Sequence, residues 1–153
     1  MPPALPAKPR CKILHIDDNS GDSFLLADAM AQFGYVAFEQ ARTFEAALTL
    51  LRANSPENQI CLIILDWYMA QMSGAEMLAT LKNDPGLRLI PVIVVTGSAN
   101  PTDVRDAYSG HANVVMKKPN DLEGLTELAR AIETFWLGFA ELPYGGDWST
   151  VDA

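Results

Sequence analysis

The amino-acid sequence predicts an α/β fold in which five strands alternate with five helices and form one doubly wound parallel sheet. Two segments, 61–65 and 90–95, are apolar without interruption, which is typical of strands buried on both faces of a parallel sheet. Segments with helical periodicity separate these strands from three shorter apolar ones. Strict alternation of this kind favours right-handed crossovers with helices on both faces of the sheet.

The first two strand–helix units occupy the N-terminal third of the chain. A strand is predicted at 12–16, followed by a helix that is capped by Asn19 or Ser20 and ends at Gly34. A second and weaker strand is predicted at 35–40. This strand does not run into a chemically useful residue, which favours a position at the edge of the sheet.

The third unit contains the most apolar strand of the chain. This strand is predicted at 60–66 and ends in the carboxylate of Asp66. Ser73 and Glu76 have the spacing of a capping box, which places the start of the third helix there. Because ligands of open α/β folds bind at the carboxyl ends of the strands, Asp66 is expected at the floor of a site.

The last two units complete the sheet. The fourth strand is predicted at 90–95 and runs into Thr96, and the fifth is predicted at 112–116 and runs towards Lys118. The final helix is predicted to extend as far as Phe139. Five units are too few for a (βα)8 barrel, which leaves an open sheet of flavodoxin-like strand order, 2-1-3-4-5.

A single domain is predicted for residues 11–142. Residues 1–10 are rich in proline and alanine and are expected to form a flexible lead-in, since they lack the apolar stretch of a secretory signal. Residues 143–153 are expected to form a loosely ordered tail. Cys11 and Cys61 are expected to be free buried thiols, with a disulfide bond as the alternative.

The chain is acidic, with a formal net charge of −8 from 19 acidic and 11 basic residues. Nucleic acids and anionic membrane surfaces are bound through basic patches, so neither is an expected partner. No apolar run approaches the roughly 20 residues that cross a bilayer. The expected class is therefore a cytoplasmic globular protein.

Polar residues follow four of the five predicted strands, and in a parallel sheet these strand ends share one edge. They are Asp17 and Asp18, Asp66, Thr96 and Lys118. Neighbouring carboxylates require a cation at neutral pH, and hard oxygen ligands favour Mg²⁺. The lack of clustered histidine or cysteine residues in the sequence argues against zinc.

The same residues are suited to phosphoryl transfer. Asp66 can act as a nucleophile towards a phosphoryl group, while Lys118, Thr96 and a metal ion stabilise the transferred oxygens. The sequence contains neither a P-loop motif nor a GxGxxG motif, so a bound nucleotide is not the expected donor. The donor is expected to carry its own phosphate, as a phosphorylated protein does.

These residues, in this order, resemble the receiver domain of bacterial two-component response regulators, the CheY-like fold. The segment from Asp66 to Gly74 is similar to the family loop D-x-x-M-P-x-M-x-G, and the resemblance covers roughly residues 11 to 140. It implies that Asp66 is the phospho-acceptor of a signalling protein that is not an enzyme with a separate substrate. It also implies that Lys118 pairs with the phosphoryl group and that the Thr96 hydroxyl moves towards it.

The resemblance implies a Mg²⁺ site as well. Asp17 and Asp18 are expected to hold the ion beside Asp66, with the backbone carbonyl of Tyr68 as a further ligand. The bulky Tyr68 side chain is expected to shield the acyl phosphate from water.

The sequence departs from the family pattern at two positions. Ala70 replaces the loop proline, which is expected to loosen that loop. Val115 stands where many receivers carry an aromatic residue that swings with the hydroxyl, so a different coupling is expected. The bond between Lys118 and Pro119 is expected to be cis, as in the family.

A narrower resemblance is found near the C-terminus. Residues 132–143 and 111–119 are similar to single-domain regulators that partner phytochromes. This implies a sensor histidine kinase of the bacteriophytochrome type as donor, and a homodimer through the fourth helix, fifth strand and fifth helix. Phe135, Trp136 and Phe139 are the expected interface residues.

Three alternatives remain open at this stage. A pseudo-receiver adaptor would bind its partner without being phosphorylated. A small phosphatase with an aspartyl-phosphate intermediate would need a general acid two residues after the nucleophile, where Tyr68 is a poor candidate. A flavin-binding protein of the same fold is disfavoured because the carboxylates would repel the flavin phosphate.

Overall fold

The computed structural model describes residues 12–34, 37–53 and 59–143. The strands in these ranges are β1 (Lys12–Ile16), β2 (Ala37–Ala41), β3 (Ile60–Asp66), β4 (Val92–Thr96) and β5 (Val114–Lys117). The α-helices are α1 (Ser20–Ala31), α2 (Phe44–Arg52), α3 (Gly74–Asn83), α4 (Pro101–Ser109) and α5 (Leu122–Ala131). A π-helical segment, Ile132–Phe139, follows α5. The predicted lead-in and most of the predicted tail lie outside the described residues.

The strands form one parallel sheet in the order β2-β1-β3-β4-β5, so the predicted fold class and strand order are confirmed. In the register, Ile16 pairs with Leu65, and Asp66 pairs with Val95. The strand ends that were predicted to share one edge therefore do so. The fourth strand begins two residues later than predicted because Pro91 has no N–H to donate to a sheet.

Strand β3 divides its side chains between the two faces of the sheet. Ile63 and Leu65 belong to the core on one face, and Leu62 and Ile64 to the core on the other. Each of these side chains is 0 % exposed, and full burial of such a side chain stabilises a protein by about 1.5–3 kcal/mol. The uninterrupted apolar sequence of β3 is thus required by burial on both sides, and it fixes the position of Asp66 at the strand end.

Side-chain caps begin the helices that flank the site. Asn19 Oδ1 accepts a hydrogen bond from the Asp22 N–H at 3.0 Å, so Asn19 and not Ser20 caps α1. Ser73 Oγ accepts one from the Glu76 N–H at 3.1 Å, as the capping-box spacing predicts. These caps fix where α1 and α3 begin relative to the strand ends.

Tyr108 of α4 lies against the outer edge of the sheet. Its hydroxyl oxygen accepts a hydrogen bond from the Val115 N–H of β5 at 3.2 Å. An edge strand leaves such groups unpaired unless another element covers them. An aromatic residue from α4 therefore contacts the β5 position where the family often has an aromatic residue of its own.

The final helix changes its winding at Ile132. In the π-helical segment the Ala140 N–H donates to the carbonyl of Phe135, five residues earlier, at 2.7 Å. The wider turn brings residues four and five positions apart onto one face, and Ile132, Trp136 and Leu137 pack against the same core cluster. The predicted α-helix to Phe139 is therefore wrong in type beyond Ala131, although the helical extent is right.

Two further expectations concern β3 and the chain as a whole. Cys61 is buried in β3 and is disulfide-bonded, so the prediction of a free thiol at this position is wrong; Cys11 lies outside the described residues. Within the described ranges no helix is both long and apolar enough to cross a bilayer.

Candidate functional site

The site lies where the strands end at the carboxyl edge of the sheet. Asp17 follows β1, Asp66 ends β3, Thr96 ends β4, and Lys118 follows β5. The Lys118 N–H donates to the Thr96 carbonyl oxygen at 2.9 Å, which joins two of these ends directly. Asp17 and Thr96 are each 1 % exposed, so the floor of the site is shielded from solvent.

Three carboxylates meet at this edge. One oxygen from each of Asp17, Asp18 and Asp66 lies within 4.8 Å of the other two. The Asp17 Oδ2 atom is buried, and no group among the described residues makes a hydrogen bond to it. A buried carboxylate oxygen that accepts no hydrogen bond is costly, and a hard cation such as Mg²⁺ or Mn²⁺ would satisfy it. The residues present therefore fit a divalent metal site.

Backbone N–H groups orient all three carboxylates. Asn19 donates to Asp17 Oδ1 at 2.9 Å. Tyr68 donates to Asp66 Oδ1 at 3.3 Å. These contacts hold one oxygen of each side chain and leave the other free for a ligand.

The third of these contacts comes from Ala70, whose N–H donates to Asp18 Oδ2 at 3.0 Å. A proline at this position has no N–H and cannot make the contact. Ala70 therefore supplies a hydrogen bond between the loop and the acidic cluster, while the expectation that it loosens the loop stays a prediction.

Lys118 is the cation of the site. Its Nζ lies 3.7 Å from Asp66 Oδ2, 3.7 Å from Asp17 Oδ2 and 2.6 Å from Asp22 Oδ2. Burial lowers the pKa of Lys118, but the Asp22 hydrogen bond and the charges of Asp66 and Asp17 outweigh this effect and raise it above its usual value. Lys118 is charged at neutral pH.

The described residues contain no cis peptide bond, so the expected cis bond before Pro119 is wrong; the trans form is the lower in energy for most X–Pro bonds.

Asp66 has an altered affinity for protons. Burial, followed by the negative charge of Asp17, raises the pKa of Asp66 to about 7, and Lys118 opposes this rise. One lysine does not balance the three carboxylates of the cluster. The raised pKa is a second indication that the site requires an additional positive charge.

His15 does not provide that charge. It is 4 % exposed, its Nδ1 lies 2.9 Å from Ser23 Oγ, and its Nε2 lies 3.5 Å from Asp17 Oδ2. Burial lowers the pKa of His15 to about 4, against the opposite effect of Asp17. His15 is therefore a neutral residue beneath the acidic cluster.

A chain of polar contacts leads from Thr96 to helix α4. Thr96 Oγ1 lies 3.4 Å from Ser98 Oγ, and the Ser98 hydroxyl donates to Asp103 Oδ2 at 3.0 Å. The Asn100 amide donates to the same oxygen at 2.9 Å, and the Tyr68 hydroxyl donates to it as well. The Tyr68 side chain is thus bound to the first turn of α4 and remains 57 % exposed.

Sequence reasoning missed Asp22, Ser98 and Asp103. Asp22 had a signal, because it lies in the first turn of a helix that starts at the site. Ser98 and Asp103 lie in the segment after the fourth strand and have no motif of their own.

The residues predicted to form an interface divide into two kinds. Phe135 and Phe139 are 55 % and 80 % exposed, while Trp136 packs against the core and contacts Phe135 edge-on at 5.1 Å.

Comparison with known proteins agrees with this geometry. The family model described as response regulator receiver domain matches residues 13–130. The probable methanogenesis regulatory protein FilR2 of Methanothrix harundinacea is 33% identical over 134 residues, which cover 86% of each chain. Response regulator Rcp1 of Synechocystis is 32% identical over 146 residues, which cover 86% of this chain and 92% of Rcp1.

Solved structures agree in fold and in sequence. The crystal structure of the phosphorylated cyanobacterial phytochrome response regulator RcpA is 34% identical, with a TM-score of 0.78 over 88% of this chain and 99% of that one. The Mn²⁺-bound form of Rcp1 is 32% identical, with a TM-score of 0.74 over 87% of this chain and 99% of that one. Since the match extends over most of both chains and includes the strand ends that carry the site, the chain belongs to the response regulator receiver domain family.

Proposed function

We propose that this protein is a single-domain response regulator that accepts a phosphoryl group on Asp66 from a sensor histidine kinase. The observation that carries the proposal is the position of Asp66, which lies within 4.8 Å of two other acidic ligands and 3.7 Å from the Lys118 ammonium group. Receiver domains are phospho-acceptor signalling modules. On this proposal the protein signals through altered protein interactions and has no other substrate.

The transfer forms one bond and breaks one. A carboxylate oxygen of Asp66 forms the bond to phosphorus while the P–N bond of the donor phosphohistidine breaks. The bonding electron pair stays on the departing nitrogen, and the imidazole, protonated on its other nitrogen, leaves as a neutral ring. Lys118 stabilises negative charge on the transferred oxygens, and Thr96 donates its hydroxyl to one of them.

We propose Mg²⁺ as the resident metal. Asp17, Asp18 and Asp66 would supply side-chain ligands and Tyr68 its backbone carbonyl. When bound, the ion supplies positive charge that offsets the negative charge of the carboxylates and the phosphoryl oxygens. The buried Asp17 oxygen that accepts no hydrogen bond and the raised pKa of Asp66 support this assignment.

A phytochrome-type histidine kinase is the proposed donor, and the cytoplasm is the proposed location. The similarity to RcpA, a cyanobacterial phytochrome response regulator, and to Rcp1 supports the donor. The net charge of −8 supports protein partners over nucleic acid or an anionic membrane surface.

A homodimer through α4, β5 and the α5 region is also proposed. Phe135 and Phe139 present large apolar side chains to solvent on the π-helical segment. These two rings lie four positions apart on one segment and form part of an apolar surface, and contiguous exposed apolar surfaces mark interaction sites. Trp136 contributes through its exposed part while it packs against the core.

The deciding experiment is phosphorylation with a small acyl phosphate and Mg²⁺, followed by intact-mass measurement. Wild type should gain one phosphoryl group, and Asp66→Asn should gain none. Asp28→Asn, which removes an exposed carboxylate of α1, is the matched control and should behave as wild type. If wild type stays unmodified, the protein is a pseudo-receiver adaptor; the intact acidic cluster and Lys118 do not favour that alternative.

A further inference from the structure

Lys118 is shared by three carboxylates, and the nearest is not Asp66. Its Nζ lies 2.6 Å from Asp22 Oδ2 and 3.7 Å from Asp66 Oδ2. The shorter contact is a charge-assisted hydrogen bond, whereas the longer one exceeds hydrogen-bond distance. The ammonium group is therefore bound by Asp22 when Asp66 is unmodified.

Asp22 is held where it can make this contact. Its backbone N–H donates to the Asn19 side chain at 3.0 Å, which places it in the first turn of α1. A carboxylate is stabilised at that end of a helix by the helix dipole. The cap of α1 is made by Asn19 and does not use the Asp22 carboxylate, so the carboxylate is available for Lys118.

Phosphorylation changes what competes for Lys118. A phosphoryl group carries a charge of roughly −2 and three acceptor oxygens. A lysine ammonium is a compact charge on a flexible stem and can turn towards such a group. The side chains of Lys118 and Asp22 are 30 % and 39 % exposed, which leaves room for that movement.

On the basis of the proposed function, we propose that Asp22 is a positioning residue that withholds Lys118 from Asp66 until a phosphoryl group arrives. Formation of the phosphorylated state then requires the Asp22–Lys118 hydrogen bond to break. Asp22 thereby weakens the hold of the site on the phosphoryl group and favours return to the unphosphorylated state.

The test uses beryllofluoride, a phosphoryl analogue that needs no donor kinase. It is titrated into the protein in the presence of Mg²⁺, and calorimetry measures its affinity. Asp22→Asn keeps the backbone N–H and the shape of the side chain but removes its charge. It should bind beryllofluoride about fivefold more tightly than wild type. Asp28→Asn removes the same charge from an exposed position of α1 and should bind as wild type does.

A double-mutant cycle separates positioning from a general effect. In a Lys118→Gln background, Asp22→Asn should change the affinity by less than about 1.5-fold, because there is no ammonium to withhold. The inference would be overturned if Asp22→Asn bound beryllofluoride no more tightly than wild type. It would also be overturned if Asp28→Asn gained as much affinity, or if Asp22→Asn gained as much affinity in the Lys118→Gln background. Asp22→Ser, with the same expectation, replaces Asp22→Asn if thermal unfolding shows the latter to be misfolded.

The two proposals fail differently. If wild type does not bind beryllofluoride, the proposed function fails and this inference fails with it. If wild type binds, Asp66→Asn does not, and Asp22→Asn matches wild type, then the phospho-acceptor assignment stands and the role of Asp22 alone is overturned.

Discussion

The hydroxyl of Tyr68 donates a hydrogen bond to the carboxylate of Asp103, which joins the loop after β3 to the first turn of α4. Ser98 donates to the same Asp103 oxygen at 3.0 Å and lies 3.4 Å from the Thr96 hydroxyl. A movement of Thr96 towards a modified Asp66 would disturb the Thr96–Ser98 contact and, through Ser98, the Ser98–Asp103 hydrogen bond. Helix α4 is thus connected to the site without an aromatic residue in β5.

Tyr68 should slow hydrolysis of the acyl phosphate. We expect the ring, which belongs to the second residue after Asp66 and is bound to Asp103 through its hydroxyl, to cover the acyl phosphate, so Tyr68→Ala should open a path for water. The phosphorylated protein should lose its phosphoryl group about threefold faster, a change of less than 1 kcal/mol in the barrier. Intact mass, followed after removal of the donor, measures the half-life.

Tyr68→Phe and Tyr108→Phe complete that comparison. Tyr68→Phe keeps the ring but loses the bond to Asp103 and should give an intermediate half-life. Tyr108→Phe removes a hydroxyl from α4 and should leave the half-life unchanged. Identical half-lives for wild type and Tyr68→Ala would show that the ring does not shield Asp66.

The raised pKa of Asp66 predicts a pH-dependent cost to stability in the absence of metal. The folded protein binds this proton more tightly than the unfolded chain, so the free energy of unfolding falls as pH rises from about 4, the usual value, towards 7. Asp66→Asn removes this cost. Its stabilising effect should be larger at pH 8 than at pH 5 by on the order of 1–2 kcal/mol.

Urea unfolding of wild type and Asp66→Asn, with a chelator present, measures this difference. The lowered pKa of His15 changes the free energy of unfolding with pH in the opposite direction, but it does so in both proteins and cancels in the comparison. Mg²⁺ added at pH 8 should stabilise wild type more than Asp66→Asn, since it binds the folded acidic cluster. A stabilising effect of Asp66→Asn that does not change with pH would mean that Asp66 is already ionised at pH 5 in the folded protein.

The hydrogen bond from Ala70 to Asp18 should strengthen metal binding. Ala70→Pro removes the donor, leaves Asp18 less well oriented, and should weaken Mg²⁺ binding about three- to tenfold. Ala70→Gly retains the N–H and should bind nearly as wild type does. Calorimetric titration with Mg²⁺ distinguishes the variants, and equal affinity in Ala70→Pro would remove any role for this contact.

The exposed aromatic pair of the π-helical segment should support the proposed dimer. Phe139→Ser removes the more exposed ring and should weaken dimerisation at least about tenfold, as loss of a central aromatic anchor does. Phe24→Ser, on α1, removes a ring that is 69 % exposed and is the matched control. Light scattering across a concentration series measures the change; equal effects of the two variants would place the interface elsewhere.

The fold and most of the site were predictable because they depend on local sequence. The apolar pattern of β3 requires burial on both faces, and a strand so buried must end at the ligand edge with Asp66. The pairing of Lys118 with Asp22 was not predictable in this way, since the two residues are 96 positions apart and meet through the relative placement of a helix start and a loop. The π-helical winding after Ala131 was also missed, because Ile132 and Trp136 are four positions apart, a spacing that an α-helix also places on one face.

Tyr108 has a consequence for how copies of the protein can meet. Because its hydroxyl occupies the Val115 N–H, a strand from another molecule cannot add to β5 without first displacing it. In the proposed dimer, contacts across this face would therefore be made by side chains and would not extend the sheet. A dimer of that kind would separate without the loss of main-chain hydrogen bonds, which suits the proposed function of signalling through altered protein interactions.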